Sequence, residues 1–330
     1  MKSNRHRDLK LDIWGIGLLV PLIIVPMFTS EPLLNSLVQQ IAIGVAAAMG
    51  IYLMLRMGLL SFTVPAFMAV GGYAAAILAK GYTNDIFMMC AIAFLLPAVI
   101  AVPLGALVLR LKGVYFIFIT FIFNEILQLV LFETPKLTGG ANGISSVPSA
   151  RFMAMDLNTS AQLVIVTVIL CLVASLITLA VSHRYRAEFT SIEENETLTE
   201  SLGVAVWKYR TIGFVASAGV SGIAGFALVN MLSTAHPSSF ASWGVNNYIA
   251  YAFIGGRGNL LGIVIGSILL IVMSNMFSAY GQISAGLFGL LLVVVMMAAP
   301  TGLVGTFIYY YEKIKIRKVS PDIGNMEQKP

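Results

Sequence analysis

The sequence is short of charge. Asp, Glu, Lys and Arg together make up 11% of its 330 residues, where a soluble domain carries roughly a quarter. It has 2 cysteines, Cys90 and Cys171, both inside apolar runs, so no disulfide framework is implied and two buried structural thiols are expected. Its 3 histidines, His6, His183 and His236, are dispersed and lack metal-ligand spacing with Cys or acids. No Gly-x-x-x-x-Gly-Lys-Ser/Thr sequence occurs, so this chain does not itself cradle ATP phosphates. Gly-x-Ser-x-Gly is missing too, as is any pair of acids inside an apolar run. No catalytic residue, cofactor or metal is expected, and the chain does not read as an enzyme.

What is present is apolar. Hydrophobic residues reach 58%, in runs of about 20 that recur from end to end, the length a helix needs to cross a bilayer. The expectation is an all-α polytopic membrane protein of about ten transmembrane segments, some discontinuous. Residues 1–12 form a basic N-terminus, 13–304 the transmembrane body, and 305–330 a basic tail with Lys313, Lys315, Arg317 and Lys318. The first run, Ile13 to Phe28, has no small-x-small cleavage site after it, so it reads as an uncleaved first helix.

The remaining segments run from about Leu33 to Leu55, Gly58 to Ala79, Ile86 to Leu109, Gly113 to Phe132, Ala161 to Val181, Thr211 to Met231, Asn246 to Gly255, Leu260 to Tyr280 and Ala285 to Val304. Ser61, Pro65, Gly71 and Gly72 interrupt the third, which predicts a broken helix. Gly213, Ser217, Ser221 and Gly225 recur at four-residue intervals, and Gly258, Gly262 and Gly266 repeat the pattern. Such ridges of small residues let helices approach closely. Segment 246–255 is short for a crossing, and a re-entrant course is the alternative.

If ten segments cross, all Lys and Arg except Lys80, Lys136 and Arg151 fall on one side. The positive-inside rule makes that side cytoplasmic, with both termini on it. Residues 132–160 then form an external loop and 183–210 a cytoplasmic one. The cytoplasmic loop is the most charged stretch of the chain. Ser191 with Glu194, or Thr190 with Glu193, has capping-box spacing, and Gly203 is placed to end a helix that starts there. This predicts one acidic helix over about Thr190–Gly203, offered to a partner. A solvated linker helix has the same charge pattern. Glu125, flanked by Asn124 and Gln128, is the one carboxylate well inside a span. It reads either as a path or proton-relay residue or as a hydrogen-bonded packing residue. Gln39, Gln40, Asn230, Asn246, Asn247 and Asn275 read mostly as interhelical hydrogen bonds.

From about Leu59 to Gly305 the chain resembles the branched-chain amino-acid permeases of bacterial ABC importers. Leu59 to Phe67 leading to Gly72-Tyr73-Ala74-Ala75 is similar to the family's first signature, with Val64-Pro65-Ala66 where Gly-His-Ala is usual. Leu109 to Phe116 with Thr120 and Glu125 resembles the second, and Thr138-Gly139-Gly140-Ala141-Asn142-Gly143-Ile144 the third. Glu194-Asn195-Glu196 with Leu202-Gly203 resembles the coupling motif, which usually has arginine where Glu193 stands. Gly255-Gly256-Arg257-Gly258-Asn259 and Pro300 to Gly305 complete the set.

The resemblance implies an importer of branched-chain amino acids in the bacterial cytoplasmic membrane. Its partners would be a second homologous permease, two cytoplasmic ATPase subunits and an external substrate-binding protein. It casts Ser191, Glu193, Glu194, Asn195, Glu196, Leu202 and Gly203 as the ATPase-coupling surface. Asn124, Glu125, Gln128, Gly139, Gly140 and Asn142 become the candidate path or gate. Relatives with the same architecture carry urea or short amides. A proton-coupled secondary transporter using Glu125 and a passive channel are the readings from other classes.

Overall fold

The computed structural model describes residues 2–28, 31–152, 155–157, 159–256, 258–299 and 302–307. Arg257, Pro300, Thr301 and the basic tail from residue 308 onward lie outside the described residues. The first helices in chain order are α1 (Lys2–Gly17), α2 (Pro21–Phe28), α3 (Pro32–Leu55), α4 (Val64–Gly81), α5 (Ile86–Val108), α6 (Val114–Glu133) and α7 (Pro135–Thr138). There follow α8 (Ser160–Arg184), α9 (Arg186–Glu194), α10 (Glu196–Ser201), α11 (Val206–Leu232), α12 (Gly244–Gly255), α13 (Leu260–Ser278) and α14 (Ser284–Ala298). The one sheet among the described residues is a hairpin of β1 (Arg151–Phe152) and β2 (Met155–Asp156). Among the described residues, 8 helices are long and apolar enough to cross a membrane: α3, α4, α5, α6, α8, α11, α13 and the one beginning with α14.

The other two expected segments do not form single helices of that length. The first run breaks at residues 18–20 into α1 and α2, just ahead of Pro21. Proline has no N–H to give the preceding turn and disfavours helix in the residue before it. The third run also differs from expectation. Its irregular part is residues 59–63, and α4 then continues unbroken through Gly71 and Gly72. Pro65 sits in the first turn of α4, where its missing N–H costs no hydrogen bond.

Two sets of contacts fix which helix ends share a side of the bundle. At one end Asp12, Arg56, His183, Thr190 and the start of α13 meet through side-chain hydrogen bonds. At the other, Asn84 bonds Ser149, and Ile144 exchanges backbone bonds of 2.8 and 2.9 Å with Ala235. So α11 starts at the first end and finishes at the second, whereas α13 starts again at the first. The chain between them must change ends. It does so through an inward-dipping 3₁₀ turn (Pro237–Phe240) and α12, whose 12 residues span about 18 Å. That is well under the roughly 30 Å of hydrocarbon, and the loop supplies the rest.

The centre of the bundle is α3, α4 and α11. A step of four residues on a helix of 3.6 per turn advances about 40° round its axis. The row Gly213, Ser217, Ser221, Gly225 therefore winds from one neighbour to the next. Gly213 faces Met57, the Ser217 hydroxyl donates to the Gly50 carbonyl at 2.7 Å, and Gly225 lies against the Met68 carbonyl of α4. Gly71 and Gly222 bring α4 and α11 into backbone contact, so a Cβ on Gly71 would overlap Gly222 itself. Gly222 also faces the Ala93 carbonyl of α5, the one that Pro97 leaves without its helical donor. Gly262 and Gly266 seat α13 against the backbone of α12 in the same way. Gly258 does not belong to that ridge: it precedes α13, and a Cβ there meets nothing within 4 Å.

Candidate functional site

The charged stretch after α8 folds as two short helices, not as the single helix expected from Thr190 to Gly203. The chain breaks at Asn195, which is extended at φ −159° and ψ 101°. Its Oδ1 accepts the Leu198 N–H at 3.0 Å and caps α10. Asparagine competes with the backbone ladder in this way, which is why it favours helix starts over interiors. Ser191 is therefore no cap. It sits inside α9 and its hydroxyl donates to the Glu188 carbonyl at 3.0 Å. The Thr199 hydroxyl then donates to the carbonyls of Ser191 (2.8 Å) and Asn195 (2.7 Å), folding α10 back on α9. Gly203 does end the unit, at φ +86°, with its N–H on the Glu200 carbonyl.

This loop is anchored at both ends. Phe189 and Ile192 are buried with Met54, Met57, Phe67, Phe116 and Phe214, in a cluster drawn from α3 to α6, α9 and α11. The Arg56 guanidinium at the end of α3 donates to the Thr190 hydroxyl at 3.3 Å, and a Cβ on Gly58 would come into van der Waals contact with Glu193 of α9. The second anchor is Glu196. Its carboxylate takes both arms of Arg210, at 2.8 and 3.0 Å, and the Lys112 ammonium at 3.2 Å. Arg210 is buried, and a two-pronged guanidinium–carboxylate pair fixes orientation as well as distance. Glu196 thus faces inward. Glu194, Asn195, Gly203, Leu198 (57% exposed) and Leu202 (76% exposed) face out, with Glu200 beside them. Ser191 and Glu193 are half-buried.

A second polar node lies beside the first. Asp12, on α1, is buried. One carboxylate oxygen accepts the Leu260 N–H at 2.7 Å, capping α13, and the other meets His183 Nε2 at 3.0 Å at the end of α8. Burial raises the Asp12 carboxyl above its usual range, partly opposed by the Leu260 N–H, His183 and Arg56. Asp12 carried no weight in the sequence. The available signal was a single acid between a basic segment and the first apolar run.

The path-or-gate candidates do not form one pocket. Asn124 is buried and donates to the Ser242 hydroxyl beyond the 3₁₀ turn. Gln128 is half-buried and shares with Asn124 a narrow seam against Ala66, Ala69 and Phe240. Glu125 is exposed about 100° round α6 from Asn124, among Phe121, Ile122, Ile126 and Leu129. Gly139 and Gly140 lie at the far end, both at positive φ, with the Thr138 hydroxyl donating to the Leu131 carbonyl at 2.6 Å. Asn142 is exposed. Gln40 and Asn275 do pair across helices, at 3.0 Å. Among the described residues no group of three His, Cys, Asp or Glu is placed to hold a metal.

Residues 33–300 match the family model described as branched-chain amino acid transport system, permease component. The high-affinity branched-chain amino acid transport system permease protein LivM of Escherichia coli K12 is 27% identical over 271 residues. That alignment covers 74% of this chain and 64% of the relative. The LivM of Salmonella typhimurium LT2 matches with the same identity and coverage. The chain thus spans under two thirds of the length of these curated relatives. No solved structure matches.

Proposed function

We propose that this chain, which belongs to the branched-chain amino acid permease family, is the membrane-spanning subunit of an ABC importer that brings branched-chain amino acids inward. In this reading separate ATPase subunits supply the energy, a second, homologous permease completes the pore, and an external protein delivers the substrate. The chain is a multi-pass protein of the bacterial inner membrane, and no P-loop occurs in it, so the work must enter from a neighbour.

The observation that carries the proposal is the α9–α10 unit. It is rigidly held at Phe189, Thr190 and Glu196, yet it presents Glu194, Leu198, Glu200 and Leu202 to solvent. A knob that is fixed to the body and acidic-apolar on its free face suits docking in a cleft of an ATPase. The Lys and Arg of the described residues support a cytoplasmic position for it. Arg56, Arg110, Lys112, Arg184, Arg186, Lys208 and Arg210 gather at this end, against Lys80, Lys136 and Arg151 at the other. The outward Glu125 suits an interface with the second permease, since a carboxylate facing lipid alone is costly.

The test is uptake of labelled leucine into vesicles holding the assembled complex. Uptake should require internal ATP and the binding protein and should persist with a protonophore. Uptake that survives ATP depletion and collapses with the protonophore would overturn the reading. Transport of urea or acetamide in place of leucine would correct the substrate alone.

A further inference from the structure

A cavity of about 430 Å³ lies where the last turn of α5 meets the first turn of α11. Gly105, Ala106 and Leu109 give it an apolar wall, and Arg110, Lys112, Arg210 and Trp207 line the rest with Glu196 and Glu200. We propose that this cavity binds the head group of an anionic phospholipid, with Arg110 and Lys112 on the phosphate and Trp207 beside the glycerol region.

Three observations converge on that ligand. The first is charge. Three cations face two acids, and Glu196 is already satisfied by Arg210 and Lys112. Arg110 has no hydrogen bond or ion pair among the described residues, and the buried Arg210 Nε lacks a partner. The second is depth. The 27 residues of α11 span about 40 Å, roughly 10 Å more than the hydrocarbon, and Lys208 and Arg210 favour its first turns for the part in the head-group layer. Trp207, 73% exposed on that turn, is the side chain that favours this level. The third is the wall. The neighbouring face of α5, with Val102, Ala106 and Leu107 exposed, offers acyl chains a track that leads into the cavity. A small free anion would gain nothing from it. The inference does not depend on which compartment this end faces, because lipid added in detergent reaches both ends of the bundle.

The experiment uses the purified full-length chain in detergent, titrated with dioleoyl phosphatidylglycerol, dioleoyl phosphatidylcholine or inorganic phosphate and read by native mass spectrometry. Phosphatidylglycerol should be retained over phosphatidylcholine. Arg110→Gln, which removes no internal contact, should weaken that retention roughly fivefold, and Arg110→Gln with Lys112→Gln roughly 25-fold. Equal retention of the two lipids, or retention unchanged in Arg110→Gln, overturns the proposal. So does displacement of the lipid by millimolar phosphate, which would mark a simple anion site. Loss of ATPase recovery in Arg110→Gln with lipid retention intact would mark a protein contact instead.

Discussion

Asp12 and His183 stand 171 positions apart in the chain, yet the Asp12 carboxylate and His183 Nε2 are 3.0 Å apart. The same carboxylate caps α13 through Leu260, so one buried acid of α1 joins the end of α8 to the start of α13. Asp12→Ala should strand the Leu260 N–H and lower stability by about 1–3 kcal/mol. Asp12→Asn keeps an acceptor for Leu260 and a donor for His183, and should cost under about 1 kcal/mol. Thermal melts of the two variants in detergent check the ranking.

The pH dependence of this node has a definite sign. Burial raises the Asp12 carboxyl above its usual value, so the folded state holds that proton more tightly than the unfolded chain does. Its favourable contribution is complete below the ordinary carboxylate range, near ~4, and is lost as pH rises through the raised folded value. Melts recorded from pH 4 to 7 should therefore fall more steeply in the native protein than in Asp12→Asn. Parallel curves would remove Asp12 as the titrating group.

Glu196 and Glu194 are two residues apart and should fail differently. Glu196→Gln leaves the buried Arg210 guanidinium without its counter-charge, which costs roughly 3 kcal/mol or more for a buried pair. Glu194→Gln, on an exposed position, should change stability by under about 0.5 kcal/mol. Its effect should appear only as reduced ATP-driven uptake in the assembled complex. Leu202→Asp should behave like Glu194→Gln. Equal melting temperatures for Glu196→Gln and native protein would show that the anchor is not where the distances put it.

Two glycine-to-alanine changes give opposite signs. At Gly222 the added methyl overlaps the Ala93 carbonyl of α5, and overpacking of this kind costs about 1–3 kcal/mol. At Gly286 on α14 nothing lies within 4 Å, so alanine should stabilise by up to about 1 kcal/mol. A fluorescence-detected melt of each variant decides it.

The outward placement of Glu125 also makes a prediction. Glu125→Gln should leave the stability of the isolated chain unchanged within about 0.5 kcal/mol. It should reduce co-purification with the second permease. Uptake by the complex should stay insensitive to protonophore.

The spans were legible because hydropathy is a local property, and Arg56, Arg110 and Lys112 mark the helix ends where the sequence puts them. Gly203 was legible for the same reason, as a backbone position that a left-handed residue must fill. The break at Asn195 was not. Capping-box spacing at Ser191 and Glu194 competes on paper with an Asx cap at Asn195, and Thr199, reaching back to the Ser191 carbonyl, decides between them. The role of Glu196 was hidden further, since its partners are Arg210 of α11 and Lys112 of the α5–α6 connection. A sequence shows that an acid is present, not whether its charge is already spent. The path candidates fared similarly: Asn124 and Glu125 are adjacent, so on a helix they point about 100° apart, and one turned in while the other turned out.

The double anchorage of the α9–α10 unit has a mechanical corollary. With Phe189 sunk among α3, α4 and α11 at one end and Glu196 gripped by Arg210 at the other, the crossbar has no slack. A displacement applied to its free face is passed directly to the ends of α3 and α11 that hold it. In the importer proposed above, the movement of an ATPase at that face and the tilt of those two helices would be one coordinate, read at two points.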